Sequence, residues 1–477
     1  MKLIFDVSDK PKAGQLVVFA LQQMLAILAA TIAVPLIIGK GLTPAAAMFG
    51  AGVGTIVYIL FTKRKSPVFL GSSFAFLGSM AAAFAGGVSM QLGMLGLIVG
   101  AFLAGLVYVV IAIVVKFVGV GWLNKLMPAV VIGPTVAIIG LSLAGNAIGD
   151  LVKGDVTKQV TEYAVSTDSG TPEIIETVSN VPVGSSYVAL ICGLITLAVV
   201  MLCSTYGKKT LRLIPFIIGI LAGYAAAAIF TVIGNICDID ALKIVDFSVF
   251  SSYMLTDGSV SLKIVSLPDF AFVSGLKGLK EFDFTYFATI FVAYVPVALV
   301  VFAEHVADHK NLSSIIDHDL LEEPGLTRTL LGDGVGSIAG ALFGGCPNTT
   351  YGESVACVAI TGNASVVTIF AAAIGCMLFS FITPLVAFVD SIPACVMGGV
   401  CIALYGFIAV SGLKMIQDAN LDDNRNLFVV SVILIAGIGG LTLTFGDITL
   451  TEVAAALILG ILANVMLSKK KGNAAKK

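Results

Sequence analysis

Apolar runs of about 20 residues recur along nearly the whole chain, and this pattern limits what the sequence can fold into. The run from Leu97 to Val115 is apolar on every face. An α-helix needs about 20 such residues to cross a hydrocarbon layer of about 30 Å. With 58% apolar and 12% charged residues and a mean hydropathy of +1.04, the runs cannot all be helices of a soluble core. Outer-membrane barrels instead alternate over about ten residues per strand, so the sequence predicts an all-α polytopic membrane protein.

The pattern predicts about fourteen transmembrane segments. The first follows a short charged start, is too long for a signal-peptide core and is interpreted as a retained span. The fourteen predicted spans are 16–39, 44–61, 67–87, 93–115, 127–149, 186–204, 211–234, 286–311, 329–344, 347–362, 365–389, 392–413, 426–445 and 449–468.

The distribution of Lys and Arg predicts the orientation. If both termini are cytoplasmic, 20 of the 27 Lys and Arg residues fall on the inner side, as the positive-inside rule requires. The two long polar segments, 150–185 and 235–283, then lie outside. We therefore expect an even number of spans in a cell membrane, with both termini in the cytoplasm.

Two pairs of segments suggest an internal repeat. The segment Pro128 to Gly133 resembles Pro393 to Gly398, and Phe69 to Phe74 parallels Phe343 to Asn348. Both pairs relate spans that are seven apart, so the second copy crosses the membrane in the opposite sense, as in inverted-repeat transporters. Chance similarity in a Gly- and Ala-rich sequence is the alternative.

The third and tenth predicted spans are interrupted. Gly71-Ser72-Ser73 breaks the third, and a Gly-rich stretch from Gly344 to Glu353 breaks the tenth. Interrupted spans at corresponding positions point to a transporter binding site, because a half-helix that begins inside the membrane presents unpaired N–H groups and a positive dipole end. A re-entrant loop without a ligand is the alternative.

Carboxylates in apolar surroundings provide the second functional signal, because an ionisable group in a span is costly and usually marks a transport pathway. Glu353 follows the break in the tenth span, and Glu304 follows the apolar run Tyr286 to Ala303. If the helix continues, Glu304, Asp308 and Asn311 form one polar stripe. If it ends, Glu304 lies at the cytoplasmic interface. From the residues alone, both interpretations stay open.

Other functions receive less support. Glu304, His305, Asp308 and His309 lack His-Glu-x-x-His spacing, so neither a metal site nor an intramembrane enzyme is predicted. Seven of the eight cysteines lie in apolar segments, which argues against a disulfide framework. A formal net charge of −2 gives no basic surface for nucleic acid.

Several motifs resemble the nucleobase–cation symporter family that also contains ascorbate carriers, and most closely its uracil permeases. The resemblance covers nearly the full length. The motifs that carry it are Gly71-Ser72-Ser73-Phe74-Ala75-Phe76, Ala303-Glu304-His305-Val306, Asp319-Leu320-Leu321 with Pro324-Gly325-Leu326, and Pro347-Asn348-Thr349-Thr350-Tyr351-Gly352-Glu353.

The resemblance implies fourteen spans in two inverted sets of seven, with short antiparallel strands in spans three and ten. It also implies that Glu304 lies at mid-depth in the eighth span. A core domain would comprise residues 1–120 (spans 1–4) and 284–390 (spans 8–11). A gate domain would comprise 121–283 (spans 5–7) and 391–477 (spans 12–14 and a cytoplasmic tail).

For function, the resemblance implies uracil import by proton symport through alternating access, with no cofactor other than the transported proton and with a possible homodimer through the gate domain. A xanthine or other nucleobase symporter is the first alternative, and an anion carrier of the same architecture is the second. The residues that the resemblance places around uracil are Glu304, Glu353, Phe74, Gly352, Tyr351, Ala30, Tyr405 and Ser73.

The residues expected to couple transport to protons are Glu304, Asp308 and His309. Asp308 stands where one relative has a histidine, so Asp308 or the neighbouring His309 would have to relay the proton here. Gln23 and Ser354 also depart from the family pattern, which often has histidine and asparagine there.

Overall fold

A computed structural model describes residues 3–119, 121–166, 173–208, 211–212, 214–256, 259–260, 264–417, 419–445 and 448–468. In chain order its helices are α1 (Ala13–Ile38), α2 (Pro44–Phe61), α3 (Leu77–Ala83), α4 (Met90–Val118), α5 (Gly121–Leu126), α6 (Ala129–Ser142), α7 (Ala144–Leu151), α8 (Ser186–Tyr206), α9 (Pro215–Cys237), α10 (Ser248–Met254), α11 (Ala271–Gly275), α12 (Phe284–Ile316), α13 (Leu326–Gly344), α14 (Gly352–Thr361), α15 (Val366–Phe379), α16 (Thr383–Asp390), α17 (Ala394–Met415), α18 (Asn424–Ile438) and α19 (Glu452–Leu467). The strands are β1 (Leu70–Ser72), β2 (Thr157–Ser166), β3 (Glu173–Pro182), β4 (Leu255–Thr256), β5 (Ser259–Val260), β6 (Asn348–Thr350), β7 (Leu443–Phe445) and β8 (Ile448–Leu450).

The predicted all-α membrane fold is confirmed. In the described part of the chain, eight helical segments are long and apolar enough to cross a bilayer, one of them being α6 continued by α7. The other predicted spans correspond to α13, which has 19 residues, and to five shorter apolar helices. Each of the fourteen predicted spans therefore overlaps a helical segment. The inverted repeat is consistent with this order and stays a prediction.

The chain divides into two compact units. The first contains residues 1–143, 264–386 and 404–477, and the second contains 144–263 and 387–403. The division into core and gate domains stays a prediction.

Close helix packing in the first unit supports the interrupted spans. A Cβ atom on Gly54 of α2 would lie 2.7 Å from the backbone oxygen of Gly336 on α13, so the two helix backbones nearly touch. Small residues permit such approach in membranes. Asn348 at the start of β6 donates its side-chain N–H to Gly50 O over 3.0 Å and its backbone N–H to Ser337 Oγ over 3.0 Å. The α2 and α13 pair thus fixes where β6 begins.

The strands expected in spans three and ten are present and pair with each other. β1 and β6 are antiparallel, with Leu70 opposite Thr350 and Ser72 opposite Asn348. All six residues are buried. This ladder satisfies backbone groups at a depth where water is not available to do so.

The second unit contains α8, α9 and a hairpin of two ten-residue antiparallel strands, β2 and β3, in the first long polar segment. Residues before that hairpin support the beginning of α17: Asp155 Oδ1 accepts a hydrogen bond from Ala394 N over 3.1 Å, and Lys153 O accepts one from Cys395 N over 3.0 Å. Sequence analysis predicted no strands here. It also extended the thirteenth span to residue 445, whereas α18 ends at Ile438 and β7 pairs with β8.

Candidate functional site

Two half-helices begin side by side in the first unit. After β1, a 3-10 turn starts at Phe74 and leads into α3, and after β6, Gly352 starts α14. Backbone hydrogen bonds flank the ladder on both sides, from Ser73 N to Pro347 O over 2.9 Å and from Tyr351 N to Phe69 O over 3.2 Å. The first N–H groups of a helix lack partners within it, so the two starts offer donors and positive dipole ends to the same region.

Helix α12 brings two carboxylates to this region. Glu304 is residue 21 of a helix with 33 residues, so the helix continues well past the apolar run and Glu304 does not lie at its end. One turn further, Asp308 Oδ2 accepts a hydrogen bond of 2.7 Å from the Thr350 hydroxyl at the end of β6. A Cβ atom placed on Gly352 would meet only Asp308 Oδ1, at 3.9 Å. Asp308 therefore faces the start of α14 across open space.

Glu353 completes an acidic cluster of three residues, Glu304, Asp308 and Glu353, whose charges interact. The Glu353 carboxylate also accepts a hydrogen bond from its own backbone N–H. Glu304, Asp308 and Glu353 are partly exposed, and Gly352 is exposed, although Ala303, His305, Tyr351 and Ser354 beside them are buried. Val306 and Ala307 on α12 and Ala356 on α14 are also accessible, so it is the Thr350–Asp308 contact that places the cluster at the half-helix starts.

Aromatic and small residues surround the two half-helix starts. Tyr351 donates its hydroxyl hydrogen to Ser72 O over 2.8 Å, which ties the residue before α14 to β1. The rings of Phe74 and Tyr405 meet edge to face at a centroid distance of 5.9 Å. Ser73 Oγ is buried with no hydrogen-bond partner among the described residues. Ala30 is buried on α1, next to Thr31, which contacts Tyr351.

Asn311, the third member of the predicted polar stripe, and His309, a predicted proton-coupling residue, are not part of the acidic cluster. Asn311 is exposed, and His309 is fully buried on another face. His309 Nε2 lies 2.6 Å from the Tyr58 hydroxyl, which in turn lies 2.7 Å from Ser66 Oγ. His309 thus belongs to a polar group that is distinct from the acidic cluster.

Two of the positions that depart from the family pattern meet each other. Gln23 on α1 donates its side-chain N–H to Ser354 Oγ on α14. Ser354 Oγ also accepts the backbone N–H of Phe69 over 3.2 Å. This contact links α1, the start of α14 and the residue before β1, so Gln23 and Ser354 stabilise the β1–β6 ladder.

A buried polar pair next to Glu304, His305 and Asp333, was not predicted from the sequence. His305 Nδ1 and Asp333 Oδ2 are 2.7 Å apart, and His305 Nε2 lies 3.0 Å from Thr329 Oγ1. All three side chains are fully buried. The spacing of Thr329, Asp333 and Ser337 at i, i+4 and i+8 in an apolar span is a signal that could have identified this face of α13.

The arrangement suits a planar, uncharged ligand with both donors and acceptors. Carboxylates accept N–H hydrogen bonds, and helix N-termini donate to carbonyl oxygens. A bare anion would gain from the two helix starts but would be repelled by Glu304, Asp308 and Glu353. The site therefore favours ligands that carry N–H and C=O groups.

A multi-pass membrane fold in which two interrupted spans meet, with their half-helices beginning side by side, is the architecture of a membrane transporter. The chain belongs to the Permease family, whose sequence profile matches residues 14–445. Membership confirms the expectation of a transporter rather than an enzyme.

Curated relatives match over nearly the whole chain. The chain is 36% identical to the uracil permease of Bacillus caldolyticus over 471 residues, which are 98% of this chain and 95% of that protein. It is 35% identical to the uracil permease of Bacillus subtilis over 475 residues, with 98% and 96% coverage. For the uracil permease of Escherichia coli K12, the identity is 33% over 457 residues, with 95% and 92% coverage.

Solved structures confirm the fold at low sequence identity. The transmembrane domain of the cyanobacterial bicarbonate transporter BicA superposes with a TM-score of 0.60 at 13% identity, covering 96% of this chain and all of that one. The murine Solute Carrier 26 family member A9 anion transporter, in its inward-facing state, superposes with a TM-score of 0.60 at 11% identity, covering 96% of this chain and 69% of that one.

Proposed function

We propose that this protein imports uracil by proton symport through alternating access. The observation that carries the proposal is the acidic cluster facing the starts of two half-helices. Uracil presents two N–H donors and two carbonyl acceptors in one plane, which is the complement of carboxylates and helix N-termini. The relatives named above are uracil permeases, which supports this choice of nucleobase.

In the proposed complex, Glu353 and Glu304 accept the ring N–H groups, and the backbone N–H groups of Phe74 and Gly352 donate to the carbonyl oxygens. Tyr351, Ala30 and Ser73 line the pocket, and Tyr405 closes it against Phe74. The unpartnered Ser73 hydroxyl is available for a further polar contact with the substrate.

Proton coupling follows from charge. Uracil is neutral, so a gradient of uracil alone cannot drive its accumulation. Three interacting carboxylates in one partly buried cluster repel each other, and a proton shared among them reduces this cost. Glu304 and Asp308 are the proposed sites of proton exchange with the cavity, and His309 is a proposed contributor one residue further along α12. No cofactor other than the transported proton enters the proposal.

Reconstituted protein tests the transport claim. Proteoliposomes with an inward proton gradient should accumulate labelled uracil, and an uncoupler should abolish the accumulation. Uptake that is indifferent to the imposed gradient would refute proton coupling.

A substitution at Glu353 tests the site. Glu353→Gln replaces one acceptor oxygen by an N–H donor facing a ring N–H of uracil, so affinity should fall at least about tenfold, or about 1.4 kcal/mol. Isothermal titration measures the change. Glu281→Gln is the control, because Glu281 is an exposed glutamate at the end of the turn before α12, away from the residues placed around uracil. Unchanged affinity in Glu353→Gln would remove that residue from the pocket.

Two alternatives can be distinguished in one experiment. A xanthine or other nucleobase symporter would use the same donors and acceptors with a larger ring. An anion carrier is favoured by the fold shared with BicA and the Solute Carrier 26 protein, but the acidic cluster opposes it. Thermal shifts of purified protein with uracil, xanthine and bicarbonate should show stabilisation by the true ligand.

The same proposal places the protein in the cell membrane with both termini in the cytoplasm. The excess of Lys and Arg in the segments assigned to the inner side supports this orientation. A homodimer through the gate domain is proposed from the family resemblance alone.

A further inference from the structure

We propose that the His305–Asp333 pair, directly behind Glu304, holds the coupling proton. This inference rests on the proposed function, because it assigns a place to the proton of that symport. It adds two residues to the acidic cluster and changes the role of Glu304 from the residue that stores the proton to the residue that passes it on.

Hydrogen-bond accounting around Thr329 supports the assignment. The Thr329 hydroxyl has a single hydrogen, and its two possible acceptors are Leu326 O, 3.1 Å away, and His305 Nε2, 3.0 Å away. In the arrangement that we propose, the hydroxyl donates to Leu326 O and accepts from His305 Nε2, so Nε2 carries a hydrogen. The other ring nitrogen, Nδ1, faces Asp333 Oδ2 at 2.7 Å, and a hydrogen must lie between them.

With Nε2 protonated, the pair has two forms, and both contain one proton more than a neutral histidine and a carboxylate. Either His305 is an imidazolium beside a carboxylate, or neutral His305 accepts a hydrogen bond from protonated Asp333. In each form the pair is neutral overall. Loss of that proton leaves one negative charge on a pair whose side chains are both fully buried, which a low-dielectric interior strongly opposes.

The second oxygen of Asp333 fits the protonated form. Among the described residues, Asp333 Oδ1 is buried without a hydrogen-bond partner. A carbonyl-type oxygen of a neutral acid tolerates this far better than a carboxylate oxygen. The Tyr108 ring packs edge-on to His305, and its hydroxyl is also without a partner in the described part of the chain.

The ionisable groups around the His305–Asp333 pair also favour its protonated form. Glu304, Asp308 and Tyr58 interact electrostatically with Asp333, and so does Tyr108. His309 stacks on His305 with ring centroids 4.0 Å apart and donates Nδ1–H to His305 O over 2.7 Å, while its Nε2 lies 2.6 Å from the Tyr58 hydroxyl. The carboxylates that interact with Asp333 favour a proton on the pair.

The pair can couple proton and substrate through Glu304. While the pair holds its proton, Glu304 can remain a carboxylate and accept a ring N–H of uracil. When the pair loses that proton, the added negative charge near Glu304 favours transfer of a proton to Glu304, which then loses acceptor capacity. Uracil affinity is therefore high when the pair is protonated and low when it is not, and one proton moves with each uracil.

Asp333→Asn is the direct test, because asparagine resembles the protonated acid and cannot release a proton. In proteoliposomes, the variant should exchange labelled for unlabelled uracil within about threefold of the wild-type rate, but it should lose accumulation driven by a proton gradient. Its uracil Kd should change less than twofold between pH 6 and pH 9, whereas the wild-type Kd should rise at least about tenfold. Asp155→Asn, a partly buried acid in the second unit, should behave as wild type in both assays.

The outcomes separate the two proposals. If wild-type uptake ignores the proton gradient, proton symport itself fails. If wild type is coupled and Asp333→Asn accumulates uracil equally well, only the assignment to this pair fails. A wild-type Kd that is independent of pH also overturns the assignment, and this measurement decides if the variant does not fold. His305→Gln provides a second variant, in which the midpoint of the pH dependence should move because the partner of Asp333 is changed.

Discussion

Replacing Gly71 by alanine should weaken uracil binding by displacing Tyr351, although neither Gly71 nor Tyr351 is a carboxylate of the acidic cluster. A Cβ atom on Gly71 would lie 2.4 Å from two carbons of the Tyr351 ring. Ordinary carbon contacts begin near 3.5 Å, so the ring must retreat by about 1 Å. Overpacking of this kind costs about 1–3 kcal/mol. Tyr351 would also lose its hydrogen bond to Ser72 O, and it precedes Gly352, which we place against a carbonyl of uracil.

If about 2 kcal/mol of this cost falls on the bound state, the uracil Kd rises roughly 30-fold. Titration calorimetry on purified protein measures the change. Gly78→Ala is the control in the same span, because a Cβ there would be 3.8 Å from its nearest neighbour, in the side chain of Thr451. A Gly71→Ala variant that binds uracil within twofold of wild type would show that the Tyr351 contact does not position the site.

Two further variants probe stability. Tyr58→Phe removes the hydroxyl between His309 and Ser66 and leaves two buried polar atoms without their partner, so the protein should lose about 1–3 kcal/mol in reversible unfolding; an unchanged denaturation midpoint would contradict this. Burial raises the pKa of Asp155 to about 6, partly offset by its hydrogen bond from Ala394 N. The folded state therefore binds this proton more tightly than the unfolded state, so wild-type stability should fall by up to about 3 kcal/mol relative to Asp155→Asn as pH rises from about 4 to 6. Parallel stability curves for the two proteins would refute this.

The membrane fold could be predicted from sequence because most spans contain an apolar run of about the length that crosses a bilayer. The strands could not be predicted from periodicity, because Leu70–Ser72 and Asn348–Thr350 are too short to show alternation, and only family resemblance indicated them. Hydropathy also failed at Glu304: polar residues follow it, yet α12 continues to Ile316, because this part of the helix packs against other elements, with His305, His309, Leu312 and Ile316 buried.

The His305–Asp333 pair shows a different limit of prediction from sequence. Each residue is visible in the sequence, but they are 28 positions apart on different helices. Whether they meet depends on how α12 and α13 are rotated about their axes, and hydrophobic periodicity is weak in helices that are apolar on most faces. The acidic cluster was easier to predict, because Glu304 and Glu353 lie within motifs that the family resemblance covers.

The ladder between β1 and β6 has a consequence for how the protein is made. Its two strands are separated by about 280 residues, so at ribosomal rates of about 5–20 residues per second the second strand follows the first by roughly 15–55 s. During that interval the edge of β1 has no partner strand, and unpaired backbone groups are unfavourable in lipid. Until β6 has been synthesised, the third span must therefore either remain outside the hydrocarbon layer or be shielded from lipid by the insertion machinery. The substrate pocket is thus among the last parts of the protein to acquire its final structure.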